Sequence, residues 1–249
     1  MIEFSKLNLN ECCGGDGVLK YYIYNPLAPL ILIVPGGGYS HLSQRESEPV
    51  AEKFLSLSYN VAILMYSVFP YCYPIQLNEI NHAISFLKEK CKHIILCGFS
   101  AGGHLVGMAS TSMFASYIDA SIFCYPVISF EKYVHEGTRE CFIGHVPSQY
   151  EKHLFSIDNR VSKKTPPCFV WTTREDQSVP YQNSICLIDT LKKNSIKCFF
   201  KLFPKGQHGL ALADETAVKD GDKSYIIKDV QKWPLLADKF IKEVLNEKE

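Results

Sequence analysis

Residues 93–102 read His93-Ile94-Ile95-Leu96-Cys97-Gly98-Phe99-Ser100-Ala101-Gly102. The first five residues form a largely apolar run that predicts a buried strand, and the helix-like stretch Gly103 to Phe114 follows the turn. A serine at a sharp turn from strand to helix is a nucleophile elbow, whose strained backbone needs small residues two positions away on each side. Gly98 and Gly102 occupy those positions. The pattern predicts that Ser100 is a nucleophile.

A second signal lies upstream, where the apolar run Leu30–Val34 leads into Pro35-Gly36-Gly37-Gly38-Tyr39. Proteins with a nucleophile elbow carry at this place a glycine loop whose backbone N–H groups hold an oxyanion. We predict an oxyanion hole built from the N–H groups of Gly37, Gly38 and Ala101, with a plain turn as the alternative. Tyr39 is a candidate for lining the substrate pocket, with packing as its alternative. A phosphate-binding loop is a weaker interpretation, because Gly-x-Gly-x-x-Gly and a Gly-Lys-Ser/Thr ending are both absent.

Length and hydrophobic patterning predict one α/β domain. The chain has 249 residues, 47% of them apolar, which suffices for a large core, and we expect a single domain over residues 1–249. Continuous apolar runs are typical of parallel strands covered on both faces, and they occur at Leu30–Val34, Val61–Met65, Ile94–Cys97, Ser121–Tyr125, Cys168–Trp171 and Cys198–Phe203. Helical patterns fill the gaps. The alternation predicts a mostly parallel, doubly wound sheet with helices on both faces.

The irregular stretch of residues 130–165 interrupts this alternation. It lies between two predicted strands, is rich in charged residues and histidine, and is longer than an ordinary connection. We interpret it as a small cap inserted over the site. The alternative is one crossover helix with long flanks.

Charge and composition argue against several functions. Lysine plus arginine and aspartate plus glutamate both number 26, so no positive field attracts nucleic acid or an anionic membrane. Residues Met1 to Lys6 do not resemble a signal peptide, and no apolar run reaches membrane-spanning length, which predicts a cytoplasmic protein. The ten cysteines, several inside apolar runs, indicate reduced structural thiols. Neither Cys-x-x-Cys nor His-Glu-x-x-His occurs, so we expect no metal.

A nucleophilic serine needs a base to remove its proton and an acid to hold that base in the correct tautomer. We predict that the acid is Asp176, which follows the run Cys168–Trp171 at the end of a parallel strand, where α/β sites assemble. His208 follows the last strong strand run and is the one histidine after Asp176. It is therefore the predicted base.

Alternatives for both roles stay open at this point. Glu175 competes with its neighbour for the acid, and His104, on the helix after the elbow, competes for the base. The other six histidines are expected at the surface or in the cap: His41, His82, His93, His135, His145 and His153.

Taken in order, these motifs resemble the α/β-hydrolase superfamily. The resemblance rests on Pro35 to Tyr39, Gly98 to Leu105, Tyr125-Pro126-Val127, Pro166-Pro167, Asp176 and His208-Gly209-Leu210. More narrowly, the chain looks like the small carboxylesterases labelled acetyl-xylan esterase-like or feruloyl-esterase-like, which are related to hormone-sensitive-lipase-type esterases. Pro35 stands where the commoner motif has a histidine, a change that leaves the glycine N–H groups in place.

The resemblance implies the α/β-hydrolase fold, a triad of Ser100, Asp176 and His208, and no cofactor. It also implies hydrolysis of short-chain acyl esters, acetyl esters in particular, through an acyl-enzyme on Ser100. The expected partner is a small-molecule or carbohydrate ester. Two alternatives are a peptidase or amidase of the prolyl-oligopeptidase kind and a non-catalytic, ligand-binding protein of the same fold. The sequence leaves the oligomeric state open.

Overall fold

An eight-stranded sheet forms the centre of the computed structural model, which describes residues 4–247. Its strands are β1 (Ser5–Asn8), β2 (Val18–Tyr22), β3 (Leu30–Val34), β4 (Asn60–Met65), β5 (Ile94–Phe99), β6 (Ala120–Cys124), β7 (Cys168–Thr173) and β8 (Cys198–Phe203). They lie in the order β1-β2-β4-β3-β5-β6-β7-β8. In this order, all neighbouring strands from β4 to β8 run parallel. At the other edge, β1 pairs antiparallel with β2, and β2 pairs antiparallel with β4. The predicted mostly parallel sheet is confirmed.

The six strands predicted from apolar runs are all present, with bounds that differ by at most two residues at either end. The apolar runs do not predict the edge strands β1 and β2. These strands carry polar residues such as Lys6 and Lys20, and most of their residues are half-buried or exposed. A partly solvated antiparallel edge has no need of the continuous apolar run that a central parallel strand shows.

Helices cover both faces of the sheet. Within the described range they are α1 (Asn10–Cys13), α2 (Glu48–Leu55), α3 (Ile75–Lys88), α4 (Ala101–Ser110), α5 (Glu136–Ile143), α6 (Gln149–Phe155), α7 (Gln182–Lys193) and α8 (Trp233–Asn246). Side chains alternate along β3, as strand geometry requires. Leu30, Leu32 and Val34 pack in one hydrophobic cluster with residues of α3, α4 and α7, and Ile31 and Ile33 pack in a second with residues of α2 and α8. The doubly wound arrangement is confirmed.

Residues 130–165 connect β6 to β7 through α5, α6 and a short 3-10 helix, Ile157–Asn159. α5 is followed by Gly144, whose φ of 82° suits glycine, and α6 is preceded by Ser148, which forms a capping box with Glu151. The segment therefore holds two short helices where one crossover helix was the alternative interpretation. None of the helices within residues 4–247 combines the length and the apolar character that crossing a lipid bilayer requires.

Candidate active site

The turn between β5 and α4 gives Ser100 a strained backbone. Its φ is 51° and its ψ −116°, in a region that residues with side chains rarely adopt. A Cβ atom on Gly98 would lie 2.4 Å from the carbonyl oxygen of Gly102, and one on Gly102 would lie 2.1 Å from that of Val34. Backbone thus packs directly against both glycines. α4 begins at Ala101, two residues before the predicted start.

The three residues predicted for the triad meet at the carboxyl ends of β5, β7 and β8. Ser100 follows β5 directly, and Asp176 and His208 lie in the loops after β7 and β8. The Ser100 hydroxyl donates to Nε2 of His208 at 2.8 Å. The Nδ1–H of His208 donates to Oδ2 of Asp176 at 2.7 Å. Hydroxyl, imidazole and carboxyl group therefore form one continuous relay.

Backbone donors fix the carboxyl group of Asp176. Its Oδ1 accepts the N–H groups of Ser178 at 3.0 Å and Val179 at 2.9 Å, and its side chain is fully buried. Because both carboxyl oxygens act as acceptors, the ring proton of His208 lies on Nδ1. Nε2 then carries the lone pair that receives the hydroxyl of Ser100. The relay is set in the tautomer that can remove a proton from serine.

The alternatives, Glu175 and His104, make other contacts. Oε2 of Glu175 accepts the N–H of Gly206 at 2.9 Å, so this acid supports the loop that carries the relay histidine. Nε2–H of His104 donates to the carbonyl of Phe155 at 2.8 Å, and its Nδ1 accepts the Tyr39 hydroxyl at 2.9 Å. Burial lowers the pKa of His104 from 6.5 to about 4. Its two ring nitrogens are thus engaged within the core.

The buried His104 should make the protein less stable in mild acid. Its pKa is about 6.5 in the unfolded chain and about 4 in the folded state, so between these values only the unfolded chain binds the proton. The free energy of unfolding therefore falls as pH drops below 6.5, by about 2–3 kcal/mol at pH ~4.5 from this group. In His104→Gln, whose amide can make both hydrogen bonds without titrating, this contribution should disappear. Urea unfolding of both proteins at pH ~7 and pH ~4.5 measures it, and an equal loss in both would contradict the assignment.

The glycine loop after β3 reaches the same place. Gly37 and Gly38 have φ of 127° and 64°, and both line a cavity that contains Ser100. A Cβ atom on Gly37 would lie 2.0 Å from the carbonyl oxygen of His41, so the turn requires glycine here. Ala101 contributes an N–H from the first residue of α4. These three N–H groups are our proposed oxyanion donors.

Tyr39 does not line this cavity, contrary to the prediction. Its side chain is fully buried, and its ring packs against Tyr66 and Phe142 with centroid separations of 5.5 and 4.9 Å. The hydroxyl, the polar end of the ring, is hydrogen-bonded to His104 inside the core. The aromatic ring after the glycine turn therefore serves packing, the alternative considered from the sequence.

The cavity at Ser100 has a volume of about 280 Å³, and its walls combine polar and apolar surface. Besides the relay and the glycine loop, its lining includes Ser40, His41, Arg45, Glu46, His135 and Ser178. His41 and His135, expected at the surface or in the cap, both lie at this cavity. Burial lowers the pKa of His135, and the nearby His208 imidazole lowers it further. His41 and His135 come from loops, where hydrophobic periodicity does not predict which side chains face the site.

Glu46, which no sequence pattern singles out, joins the glycine loop to the loop of His208. Only 2% of its surface is exposed. Its Oε2 accepts the N–H of Gly36 at 2.7 Å, and its Oε1 accepts the Tyr125 hydroxyl at 2.7 Å. That hydroxyl also accepts the N–H of Ala211 at 2.9 Å, and the Tyr125 ring meets the His208 imidazole edge-on with centroids 5.1 Å apart. One carboxyl group thus positions both sides of the site.

Replacing Glu46 with glutamine should lower activity while the nucleophile stays in place. Gly36 and Tyr125 donate to different oxygens of Glu46, and in glutamine an NH₂ group, which cannot accept, replaces one of those oxygens. We expect kcat to fall about tenfold, equal to about 1.4 kcal/mol of transition-state stabilisation, with KM nearly unchanged. Tyr125→Phe breaks the same link from its other end, so the double variant should lose no more than the worse single variant. Losses in kcat that simply multiply would show that the two residues act independently.

The fold and this arrangement together define an α/β hydrolase. A mostly parallel eight-stranded sheet carries a serine at the turn after a central strand, with histidine and aspartate in loops at the same edge. The chain belongs to the prolyl oligopeptidase family, whose sequence profile matches residues 83–233, and the BD-FAE profile matches residues 22–135. The first of these ranges includes all three relay residues.

Individual relatives agree with this class. The chain is 29% identical to an acetylxylan esterase from Xylanibacter ruminicola, over 92% of this chain and 50% of that protein. It is 31% identical to endo-1,4-beta-xylanase B from Butyrivibrio fibrisolvens, over 74% of this chain and 33% of that protein. The chain thus spans between a third and a half of the length of these curated relatives.

A solved structure matches over nearly its whole length. It is an acetyl ester-xyloside bifunctional hydrolase from Caldicellulosiruptor lactoaceticus, 33% identical, with a TM-score of 0.81, and the match covers 92% of this chain and 88% of that one. The resemblance to α/β-hydrolase carboxylesterases related to acetylxylan esterases is confirmed.

Proposed function

We propose that this chain is a serine carboxylesterase that removes short acyl groups, acetyl in particular, from xylo-oligosaccharides. The observation that carries the proposal is the relay from Ser100 through His208 to Asp176, with links of 2.8 and 2.7 Å. The cavity of about 280 Å³ is slightly smaller than most ligand sites, which span about 300–1,000 Å³, and suits a short acyl chain. The names of an acetylxylan esterase and an acetyl ester-xyloside hydrolase among its relatives favour a xylan-derived alcohol.

In the first half-reaction, Oγ of Ser100 bonds to the ester carbonyl carbon while its proton moves to Nε2 of His208. The imidazolium that results is stabilised by Asp176 through the Nδ1–H bond. The carbonyl oxygen takes up negative charge, and an effective oxyanion donor contributes about 3–4 kcal/mol there. The donors in this proposal are the N–H groups of Gly37, Gly38 and Ala101. The C–O bond to the alcohol then breaks, and His208 returns the proton to the leaving oxygen.

In the second half-reaction, water attacks the acyl carbon of the acyl-enzyme. Nε2 of His208 removes a proton from that water, and the same N–H groups again hold the negative oxygen. The bond between the acyl carbon and Oγ of Ser100 breaks, and His208 returns the proton to Oγ. The free acid leaves, and the relay is restored.

Esters of increasing chain length test this function. The assay compares p-nitrophenyl acetate, butyrate and octanoate with acetylated xylotriose, using wild type and Ser100→Ala. The proposal predicts the highest kcat/KM on the acetyl esters and release of acetate from the sugar. A preference for octanoate would overturn the short-chain assignment. Activity that survives in Ser100→Ala would overturn the mechanism.

Amide hydrolysis is the second candidate function, favoured by the prolyl oligopeptidase profile over residues 83–233. The relay can attack amides as well as esters, because fold and triad alone do not select the leaving group. Turnover of an aminoacyl p-nitroanilide faster than that of p-nitrophenyl acetate would place this candidate first.

We propose that the protein acts in the cytoplasm, on acetylated oligosaccharides that the cell imports. The ten cysteines, all unpaired, support a reducing compartment. Cell fractionation with an antibody against the native chain tests this setting, and recovery of the protein outside the cell would overturn it.

A further inference from the structure

A second cavity, of about 480 Å³, lies beside the one at Ser100. Cys141 lines both cavities, so the two spaces share a wall. One side of the second cavity is the C-terminal half of α5 with the turn after it, and Phe69 from the loop after β4 forms the other. None of its lining residues belongs to the relay. An ester held at Ser100 therefore has a further space next to it.

The lining of this second cavity combines exposed apolar and charged side chains. Phe69 is 53% exposed and Val146 is 94% exposed, although both are apolar. Arg139, Glu140 and His145 add a guanidinium, a carboxyl group and an imidazole. Exposed apolar groups that adjoin a reaction cavity, with a few polar groups around them, are typical of a ligand site.

Contacts with residues of α5 and α6 hold two of these polar groups in place. Arg139 is ion-paired with Glu136, and its guanidinium donates to the carbonyl of Phe130 at 3.3 Å. His145 contacts Glu151 at 2.8 Å while 59% of its side chain stays exposed. The polar side of the cavity is thus partly ordered before any ligand binds, which lowers the entropy cost of binding.

We propose that the second cavity binds the sugar alcohol of the ester, with one face of a pyranose ring against Phe69. This inference rests on the proposed function and adds a site for the leaving group. A pyranose presents C–H groups on its faces, which suit the electron-rich face of an aromatic ring, and hydroxyls around its rim. Glu140 accepts hydrogen bonds from such hydroxyls, and the imidazole of His145 adds ring-nitrogen partners.

A purely apolar occupant fits this cavity less well. An alkyl chain placed there would remove water from Arg139, Glu140 and His145 without offering a hydrogen bond in return, which costs free energy at each group. The acyl group has its own space at Ser100. A pyranose meets both the apolar and the polar side of the lining, so the observations favour the sugar half of the substrate.

The test compares two acetyl esters in Phe69→Ala. On acetylated xylotriose, kcat/KM should fall about tenfold, mainly through a higher KM, because the variant loses binding shared by ground and transition states. On ethyl acetate, whose leaving group has no ring to lie against Phe69, kcat/KM should stay within about twofold. Phe69→Leu, which keeps apolar packing but lacks the aromatic face, should show the same selectivity with a smaller loss. Equal activity of wild type and both variants on acetylated xylotriose would overturn the sugar site.

A control and a binding measurement separate this proposal from the function on which it rests. Tyr117→Ala removes another partly exposed aromatic side chain, which is 43% exposed and lies in the 3-10 helix Met113–Tyr117 before β6. This variant should change neither activity.

Xylotriose itself should bind to Ser100→Ala, as measured by saturation-transfer NMR, and its binding should weaken about tenfold when Phe69→Ala is added. If xylotriose binds equally well with and without Phe69→Ala, the sugar site is overturned, even if the protein is an active esterase. Binding that requires Phe69 supports the site even if neither ester is cleaved, an outcome that would defeat the proposed function alone.

Discussion

Ser100→Ala is expected to lower kcat on p-nitrophenyl acetate by about 10⁴–10⁶. Alanine keeps the Cβ atom, so the packing around the turn at φ 51° persists, and the variant loses only the Oγ that donates to His208 at 2.8 Å. No other hydroxyl occupies that position in the relay. Initial rates measured with a large excess of enzyme, together with an unchanged thermal midpoint, check the prediction.

Ser178→Ala supplies a matched control for the nucleophile. Ser178 also lines the cavity, but Asp176 is contacted by its backbone N–H and not by its hydroxyl, so activity should stay within about fivefold of wild type. A fluorophosphonate probe should label the wild-type peptide that contains Ser100 and leave Ser100→Ala unmodified. Labelling of the variant at another serine would assign the nucleophile elsewhere.

Asp176→Asn should lower kcat by about 10⁴ while the fold is retained. The N–H groups of Ser178 and Val179 both point at Oδ1, so the asparagine oxygen takes that place and its NH₂ group faces His208. Nδ1 of His208 must then accept, which moves the ring proton to Nε2. In that tautomer the imidazole cannot receive the proton of Ser100. Steady-state kinetics, with far-UV circular dichroism for the fold, measure the effect.

Glu175→Gln tests whether the loss is specific to one of two adjacent acids. Glu175 is exposed and accepts the N–H of Gly206 at 2.9 Å, a bond that a glutamine oxygen can also accept. Its kcat should therefore stay within about threefold of wild type. If Glu175→Gln were the more damaging change, the acid of the relay would have to be reassigned.

The central strands could be predicted from sequence because each is buried on both faces. Leu30–Val34 is fully buried over all five residues, so its hydrophobicity is continuous and its bounds are visible. The edge strand Ser5–Asn8 buries none of its residues fully and has no such signature. The start of α4 was misplaced for another reason, since Ala101 lies at the turn itself and glycines hide the first helical turn.

The candidate site likewise contains residues that the sequence predicts and residues that it does not. Ser100, Asp176 and His208 each follow a recognisable strand, so position along the chain predicts where they come together. Glu46 carries no such mark, because its role arises from two hydrogen bonds, to Gly36 and to Tyr125, that form only in the folded chain. Tyr39 is the opposite case. Its place after the glycine turn suggests a residue of the substrate pocket, but its side chain is fully buried in the core.

The relay residues extend from β5, β7 and β8, whereas His135, Gly137 and Cys141 reach the cavity from the connection between β6 and β7. In the proposed function, reactivity and the choice of leaving group are therefore encoded in separate stretches of the gene. A library randomised across the exposed α5–α6 turn would sample new leaving groups with the same reactive machinery. Under that proposal, sequence changes confined to the connection between β6 and β7 alter the substrate and leave the relay intact.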